Sequence, residues 1–343
     1  MERIVLIPAY KPASRLTDLV FSLADKGMTV VVVDDGSGSE YQPVFSRIEP
    51  RAKVITCEEN GGKGTALKIG LAYINGKYSL PYTVTTADAD GQHCVEDIIR
   101  VSEEAVRNPD AMVIGCRDFG RDMPLRNWFG NIYTKAAFLF ATGKFLQDTQ
   151  TGLRGFSDKL VPFLLGVRGK RYEYEINVLL WRARCDCRFV EVPITTIYND
   201  GNSGSHFHAI RDSLCVYREI IRFSAPAFIG FALDVILFAL LFIAGVPFAA
   251  ANAAARLVSA PVNFAALFMQ TKSMVRERRL SAARYFSAAA VILALNTLLL
   301  WGAISLGMNA IGAKVLIDVV MYFLTFVFQR RILFKKEERA KCN

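Results

Sequence analysis

Several features that would mark this chain as a zinc-binding, disulfide-rich or secreted protein are missing from it. Its 343 residues include only three histidines and seven cysteines, and no two cysteines have the C-x-x-C spacing. The sequence therefore indicates neither a zinc site nor a closed set of disulfides, and it favours a reducing compartment. The first apolar run, residues 4–7, is too short for a signal peptide and ends at Pro8, so we expect none.

Acidic residues are also scarce, but only in the second part of the chain. Residues 1–204 contain 25 Lys and Arg and 25 Asp and Glu, whereas residues 205–343 contain 16 and 7. The net charge of +9 therefore belongs entirely to that second part, where the long apolar stretches also lie. A basic excess confined to a hydrophobic region argues against nucleic-acid binding and is typical of charges that flank membrane spans.

Four long apolar stretches predict four transmembrane helices. They cover residues 224–244, 248–269, 283–306 and 310–328, and each is long enough to cross about 30 Å of hydrocarbon. The loop after the second stretch and the tail after the fourth are basic, whereas the other two connections carry no charge. By the positive-inside rule we expect a multi-pass protein of the cell (inner) membrane, with the N-terminal part and both termini in the cytoplasm.

An internal repeat divides this region into two related helical hairpins. Three residues in or just after the second stretch have matches 59 positions later, in or just after the fourth: Phe264 with Phe323, Gln270 with Gln329 and Lys272 with Arg331. Asp234, Arg256 and Asp318 are ionisable residues inside the predicted spans. Such residues are functional candidates by default, and a structural ion pair within the bundle is an equal alternative.

A short amphipathic segment precedes the first span. Ile210, Leu214, Tyr217 and Ile221 fall on one helical face, with arginines beside them, which suits a helix lying among lipid headgroups. A surface helix packed on the N-terminal domain is the alternative. The predicted divisions are a domain at 1–204, an interface helix at 205–223, a four-helix membrane domain at 224–334 and a basic cytoplasmic tail at 335–343.

The first 200 residues alternate short β-branched runs with helical patterns, which predicts an α/β domain with a mostly parallel sheet. Strands are expected at residues 3–7, 29–34, 53–57, 82–87, 111–115 and 188–192. Open sheets of this kind bind ligands beyond the carboxyl ends of their strands. Polar residues follow three of those ends, at 8–10, 34–37 and 88–93, so the site is expected there.

Asp88 and Asp90 form a D-x-D pair directly after a buried strand. Two such carboxylates can share an octahedral Mg²⁺ or Mn²⁺ with a diphosphate, which would complete the shell. An Asx turn at the end of a strand is the alternative. Gln92 and His93 add further polar groups and tilt the balance towards a metal–diphosphate site.

Residues 60–65 read N-G-G-K-G-T and look like a phosphate-binding loop. A Walker A motif would need Gly at position 57 and Ser or Thr at 64, where this chain has Cys57 and Gly64, so an ATPase is not indicated. The segment could still let the backbone approach a nucleotide, or simply open a helix. Similarly, Glu173 and Glu175 could orient a sugar, or could favour the N-terminal dipole of the helix that follows.

Five ordered motifs together carry a family resemblance. They are I-P-A-Y at 7–10, V-D-D-G-S at 33–37, N-G-G-K-G at 60–64, D-A-D-G-Q at 88–92 and D-T-Q-T-G-L-R at 148–154. In this order they resemble the GT-A glycosyltransferases of family 2, in the polyprenyl-phosphate branch that includes dolichyl-phosphate mannose synthase. The membrane part resembles a GtrA-like four-helix domain. The resemblance implies a Rossmann-like GT-A fold for the N-terminal domain.

The resemblance also implies residue roles. The nucleotide sugar would be held by Pro8, Ala9, Tyr10, Val33, Asp35, Lys63, Asp88 and Ala89. Mg²⁺ or Mn²⁺ would be held by Asp88, Asp90 and Gln92. The catalytic residues would be Asp148, Arg117, Arg126 and Arg154, and the acceptor phosphate would be bound by Arg117, Arg126, Ser205 and His206.

Two departures from the family pattern concern the donor site. Lys11 and Pro12 stand where the family commonly has Asn and Glu, and Asn199 stands where an Arg often follows the last strand. Either change could mark a different sugar or base.

The implied activity is an inverting transfer of a sugar from a UDP- or GDP-sugar to a polyprenyl phosphate such as undecaprenyl phosphate, for cell-surface glycans. The implied partners are the donor, the acceptor and membrane lipids, with no nucleic acid, and the membrane domain could also support a homo-oligomer. A processive synthase should carry a Q-x-x-R-W motif, which this chain lacks. The remaining alternative is a glycolipid flippase or scaffold with a degenerate transferase domain.

Overall fold

The structure is a computed structural model that describes residues 1–117, 134–139, 141–185, 187–195, 209–274 and 282–332. Side chains within those ranges are described except at 209–216, 271–274, 284 and 322–332. The described chain forms a mixed sheet flanked by helices, followed by a set of long helices.

The described part of the N-terminal region contains seven strands. They are β1 Glu2–Ala9, β2 Thr29–Asp34, β3 Lys53–Thr56, β4 Tyr82–Thr86, β5 Met112–Arg117, β6 Arg154–Ser157 and β7 Phe189–Ile194. They pair in the order β3-β2-β1-β4-β6-β5-β7, and β6 runs antiparallel to both of its neighbours. The six predicted strands are present, and the sheet is mostly parallel as expected. The prediction missed β6 because its four residues include Arg154 and Gly155 and have no β-branched run.

Six α-helices that have both ends within the described residues accompany the sheet. They are α1 Arg15–Asp25, α2 Gln42–Ile48, α3 Lys63–Lys77, α4 Val95–Arg107, α5 Val161–Gly166 and α6 Glu173–Arg184. Alternate residues of β1 face opposite sides: Ile4 and Leu6 join the apolar cluster that includes residues of α3, and Val5 and Ile7 join the one that includes residues of α1. Burial on both faces explains why β1 is apolar at nearly every position.

The strand register gathers the polar strand ends at one edge. In the parallel pairing Ala9 lies opposite Asp34, and Leu6 lies opposite Thr86 on the other side of β1. The carboxyl ends of β2, β1 and β4 are therefore adjacent. Because neighbouring strands are about 4.8 Å apart, residues that follow these three ends lie within reach of one small ligand.

Four long helices make up the C-terminal region: α7 Ala209–Ile243, α8 Phe248–Met274, α9 Ala282–Ser305 and α10 Ala310–Ile332. Gly245 and Gly307, with φ of 89° and 86°, close α7 and α9 in the same way. After each glycine the next N–H donates back to the carbonyl five residues earlier, at Leu241 and Ala303, which is a Schellman motif. Two matching hairpins result, α7 with α8 and α9 with α10, as the sequence repeat predicts.

Two stretches of these helices are long and apolar enough to cross a bilayer by themselves, Tyr217–Ile243 and Tyr285–Ser305. The helices α8 and α10 coincide with the other two predicted spans, but their described residues are not both long and apolar enough by the same measure. Four spans therefore stay a prediction.

The predicted interface segment is not a separate helix in the part that is described. From Ala209 it is continuous with the first span as α7. Ile220 and Phe223 are buried in the apolar cluster of the N-terminal domain, whereas Ile221, 68% exposed, lies with Arg218 and Arg222 on the open side. The segment thus packs on the domain through one side and leaves the other side open.

The ionisable residues inside the membrane domain pair with one another. Lys314 Nζ lies 2.6 Å from Asp234 Oδ2 and 3.0 Å from Asp318 Oδ2. Arg256 Nη2 lies 3.2 Å from Asp234 Oδ2 and 3.7 Å from Asp318 Oδ1. Lys314 also donates to Asn252 Oδ1 at 2.8 Å. The structure thus shows the ion pairing that the sequence left as an alternative, and it adds Lys314, which the sequence analysis did not single out.

Candidate active site

A cleft of about 450 Å³ opens at the edge where β1, β2 and β4 end. All but one of the predicted nucleotide-sugar residues line it: Pro8, Ala9, Tyr10, Asp35, Lys63, Asp88 and Ala89. Val33 does not, because its side chain is buried in the core beneath the sheet edge. The lining also includes Arg171 and Tyr172 from the loop before α6, which the sequence analysis did not assign.

Asp35 holds the glycine-rich segment against the end of β2. Its Oδ1 accepts from the N–H of Gly61 at 2.9 Å, and its Oδ2 accepts from the N–H of Gly62 at 2.8 Å. Burial raises the pKa of Asp35, although the two backbone hydrogen bonds and the charge of Arg171 oppose that rise. The carboxylate therefore fixes the loop directly, and any contact that it makes with a nucleotide is additional.

Gly62 needs both its conformation and its lack of a side chain. Its φ is +91°, and an added Cβ would come within 2.5 Å of Arg171 Cγ and 2.7 Å of the Lys170 carbonyl oxygen. The segment 60–65 therefore lies directly beneath the loop that carries Arg171. Of the two roles left open for it, the structure shows that it opens α3 at Lys63 and lines the cleft.

Lys11, one of the two departures from the family pattern, lies in the cleft wall in a sparsely populated conformation. Its φ is +47°, and its N–H donates to Ser37 Oγ at 2.9 Å. The ammonium group lies 5.6 Å from the centre of the Tyr10 ring. This arrangement places a positive charge beside the aromatic ring at the end of β1.

The D-x-D segment forms a charged cluster with two residues from elsewhere in the chain. Lys63 Nζ lies 2.7 Å from Asp88 Oδ1 and 2.9 Å from Glu175 Oε2. His93 Nε2 lies 3.5 Å from Asp88 Oδ2. Glu175, for which the sequence left two roles open, therefore reaches the site. The pairing with Lys63 could not be anticipated because the two residues meet only in the folded chain.

Opposing effects set the charges in this cluster. Burial alone would raise the pKa of Asp88, but the Lys63 ammonium and His93 outweigh it and hold that pKa well below its usual range. Burial would likewise lower the pKa of Lys63, but the carboxylates of Asp88 and Glu175 raise it above its ordinary value. Burial, followed by the charge of Asp88, raises the pKa of Asp90.

Gly152 fixes the position of Asp88 from behind. A Cβ at this position would lie 2.5 Å from Asp88 Oδ2 and 2.6 Å from Oδ1, so only glycine leaves room for the carboxylate. The carbonyl of Gly152 also accepts from Thr86 Oγ1 at 2.7 Å. The glycine of the D-T-Q-T-G-L-R motif thus leaves the space that the first carboxylate of the D-x-D segment occupies.

The donor groups at Asp88 and Asp90 fit a magnesium- or manganese-type ion that is shared with a substrate. Asp90 Oδ1 accepts from the N–H of Gln92 at 3.1 Å, so the Asx turn is present. The turn uses only this oxygen of the carboxylate and does not involve Oδ2. Among the described residues, no group of three or more His, Cys, Asp or Glu is placed to hold an ion. Two carboxylates plus substrate oxygens are what Mg²⁺ commonly uses.

Arg117 and Asp148 form a bidentate ion pair at the end of β5. Arg117 Nε lies 2.6 Å from Asp148 Oδ2, and its Nη2 lies 3.0 Å from Oδ1. Asp148 is fully buried and also accepts from the N–H of Gln150, whereas the Arg117 side chain is 24% exposed. Asp148 therefore holds Arg117 in place, and of the two it is Arg117 that is open to solvent.

Of the remaining predicted catalytic and acceptor-phosphate residues, one is buried and the others lie outside the described ranges. Arg154 is buried behind the cleft, where its Nε donates to the Thr151 carbonyl at 3.1 Å and its Nη1 to the Glu175 carbonyl at 2.8 Å. It thereby ties β6 to α6 and does not line the cleft. Arg126, Ser205 and His206 lie outside the described residues, as does Asn199.

Comparison with known proteins gives the class to which this site belongs. A model described as Glycosyl transferase family 2 matches residues 4–162, and one described as GtrA/DPMS, transmembrane domain, matches residues 222–334. The chain belongs to glycosyltransferase family 2 and carries a GtrA/DPMS transmembrane domain. It is therefore a glycosyltransferase and a membrane protein, as the ordered motifs and apolar stretches predict.

Similar proteins of known activity indicate the branch of the family. The chain is 30% identical over 219 residues to a UDP-N-acetylglucosamine–dolichyl-phosphate N-acetylglucosaminyltransferase of Methanococcus voltae, covering 57% of this chain and 86% of that protein. It is 27% identical to an undecaprenyl-phosphate mannosyltransferase of Micrococcus luteus, covering 57% and 84%. A solved glucosyl-3-phosphoglycerate synthase of Mycobacterium tuberculosis aligns with a TM-score of 0.46 at 16% identity, covering 72% and 80%. The relatives confirm the resemblance to the polyprenyl-phosphate branch.

Proposed function

We propose that the chain transfers a sugar from a UDP- or GDP-sugar to a polyprenyl phosphate, with inversion at the anomeric carbon. The observation that carries this proposal is the Asp88 and Asp90 pair in a cleft at the sheet edge, in a chain that also holds a membrane domain. The relatives' names, an N-acetylglucosaminyltransferase from a UDP-sugar to dolichyl phosphate and an undecaprenyl-phosphate mannosyltransferase, support the same substrate classes. The products would serve cell-surface glycan synthesis or modification.

Asp88 and Asp90 would hold Mg²⁺ or Mn²⁺, which supplies charge neutralisation to the diphosphate leaving group when bound. The low pKa of Asp88 keeps this carboxylate ionised at neutral pH. Tyr10 and Asp35 directly follow β1 and β2, which lie about one and two strand spacings from β4, and this separation suits the base and ribose.

The reaction itself needs little proton transfer. An oxygen of the acceptor phosphate attacks C1 of the sugar, and the bond between C1 and the diphosphate oxygen breaks. A phosphate monoester is already largely ionised near neutral pH, so no strong general base is required. Arg117, held by Asp148, would orient the acceptor phosphate, and Arg126, Ser205 and His206 are proposed to assist it.

The membrane domain is proposed to cross the bilayer four times, with the catalytic domain in the cytoplasm. The positive charges that flank α8, α9 and α10 in sequence support this orientation, and the matched hairpins support four spans. The acceptor would then meet the cleft at the cytoplasmic surface.

The test is incorporation of label into lipid. Membranes that contain the chain are incubated with a panel of labelled UDP- and GDP-sugars and undecaprenyl phosphate, and the lipid fraction is counted. Membranes that contain Asp90→Ala at equal abundance are the control. We expect one donor to label lipid in the wild type and none in the variant, whereas no labelled lipid with any donor would favour the flippase or scaffold alternative.

A further inference from the structure

Helix α6 joins the catalytic cleft to the membrane helices. Three of its residues, Asn177, Trp181 and Arg184, are spaced i, i+4 and i+7 and therefore share one helical face. Each of them contacts a residue of α7 or α8. The opposite face carries Glu175, which contacts Lys63 in the cleft.

The contacts on the membrane side grow more extensive towards the end of α6. Asn177 Nδ2 donates to Glu219 Oε2 at 3.3 Å. The rings of Trp181 and Phe223 pack edge to face with centres 5.8 Å apart. The Arg184 guanidinium lies 4.4 Å from the centre of the Phe223 ring, which is a close cation–π contact.

Gln270 completes this contact from the second membrane helix. Arg184 Nη1 donates to Gln270 Oε1 at 2.8 Å, and Gln270 Nε2 donates to the Arg222 carbonyl at 2.7 Å. Gln270 is 8% exposed and Phe223 is 1% exposed, so both are excluded from solvent. One arginine of the catalytic domain is therefore held by both helices of the first hairpin. We call Arg184, Phe223 and Gln270 the joint.

The joint lies at one end of the membrane-spanning stretch. Phe223 falls near the start of the apolar stretch Tyr217–Ile243, and Gln270 lies near the end of α8. Along α6, Glu175 and Arg184 are nine residues apart, or about 14 Å at the rise of an α-helix. The single, mostly buried helix α6 thus connects the cleft to the end of the membrane helices at which the joint lies.

We propose that the joint sets the height and orientation of the donor cleft above the bilayer, and that Arg184 and Gln270 are positioning residues for the lipid-borne acceptor. This inference rests on the proposed function. A phosphate carried by a membrane lipid can move only within the headgroup layer, so the cleft must be held at that layer to meet it. An acceptor that is free in solution has no such requirement.

The experiment compares two acceptors in full-length protein. Arg184→Met keeps an unbranched, flexible side chain but removes the hydrogen bond and the charge over the ring. Arg218→Met is the matched control, since it removes the same charge from a neighbouring side chain that is 72% exposed. Each variant is reconstituted in vesicles, and KM and kcat are measured for undecaprenyl phosphate in the bilayer and for a short, water-soluble polyprenyl phosphate.

For Arg184→Met we expect the transfer efficiency on the bilayer acceptor to fall at least about tenfold through its KM, with the donor KM and soluble-acceptor activity changed less than about twofold. Gln270→Leu should behave in the same way, and the double variant should lose little more than either single variant because both remove one contact. Arg218→Met should match the wild type on both acceptors.

Other outcomes overturn the inference. Equal losses on both acceptors would mean that the joint supports the active site itself. Unchanged transfer to the bilayer acceptor would mean that it does not position the cleft, and an equal loss in Arg218→Met would point to surface charge. Failure of the proposed function would look different, because the wild type would then transfer sugar to neither acceptor.

Discussion

Two compact clusters of charged side chains among the described residues differ in their balance of charge and in their access to solvent. In the cluster at the D-x-D segment, the Lys63 ammonium group pairs with the carboxylates of Asp88 and Glu175, and Asp90 adds a third carboxylate nearby. In the membrane domain two carboxylates, Asp234 and Asp318, are matched by Lys314 and Arg256. The first cluster opens into a cleft of about 450 Å³, whereas Asp234 and Lys314 in the second are fully buried.

The first cluster has carboxylates left to bind a cation, whereas the carboxylates of the second are already neutralised by Lys314 and Arg256. The excess of negative charge in the cluster of Asp88, Asp90, Glu175 and Lys63 favours a divalent ion and, with it, a diphosphate. The membrane cluster has no excess, and its partners come from α7, α8 and α10, so its members hold these helices together in a medium where an unpaired charge is costly. Charge balance therefore discriminates better between site and scaffold than the mere presence of buried charges.

The largest effect should come from neutralising the cleft. Asp90→Asn keeps the oxygen that accepts from the Gln92 N–H but removes the charge. We expect transfer to fall about 10²- to 10³-fold or more, the scale on which one preorganised electrostatic group acts. Chelation of divalent ions by EDTA should reduce the wild type similarly. Full activity in Asp90→Asn would show that the segment acts only as an Asx turn, and an unchanged thermal midpoint would confirm that the fold persists.

Unbalancing the membrane cluster should affect stability instead of chemistry. Lys314→Met leaves two carboxylates facing Arg256 alone, and breaking a buried pair in this way costs about 3–5 kcal/mol. The thermal midpoint of the detergent-solubilised chain should fall accordingly, while nucleotide affinity stays unchanged. A second change, Asp318→Asn, should restore part of the loss because it removes one unpaired charge. Loss of nucleotide binding in Lys314→Met would mean that the two clusters are coupled.

A smaller effect should follow from moving a cleft carboxylate without changing its charge. In Gly152→Ala the new methyl group would displace Asp88, since it would lie 2.5 Å from Oδ2. Overpacking of this kind costs about 1–3 kcal/mol, and a cost of that size to metal binding corresponds to roughly 5- to 150-fold in affinity for a metal–nucleotide complex. Gly76→Ala is the control, because a Cβ there meets nothing within 4 Å. Titration of Mn²⁺ in the presence of UDP and GDP measures both variants.

Much of this arrangement follows from the sequence, because strand ends and residue types are local properties. The position of Asp88, Asp90 and Tyr10 at one edge follows from the alternation of strands and helices and the rule for open α/β sheets. The two helical hairpins follow from long apolar runs and the glycines that end α7 and α9. The ordered motifs, taken together, identify the family.

The partners of each side chain do not follow in the same way, because they depend on how distant segments pack. Asp148 and Arg154 carry the residue types that the family motif requires, yet one holds Arg117 and the other holds the backbone at Thr151 and Glu175. Val33 follows the strand pattern into the core although it lies beside the polar end of β2. Lys314 lies inside the predicted span 310–328, but its two carboxylate partners are known only from the folded chain.

The smallest expected effect tests the charge balance of the cleft directly. Glu175 neutralises Lys63, whose ammonium group would otherwise repel a divalent ion held by Asp88. Glu175→Gln should therefore weaken Mn²⁺ binding by about 1 kcal/mol, or roughly fivefold, since the pair is partly screened by solvent. Glu173→Gln removes the same charge from a carboxylate that accepts from the N–H groups of Lys170 and Arg171, so it is the matched control and should have little effect. If both variants weaken Mn²⁺ binding equally, the net charge of the region determines the affinity and the contact with Lys63 does not. If Glu175→Gln strengthens Mn²⁺ binding, Glu175 does not offset the charge of Lys63, and charge balance does not explain metal binding in the cleft.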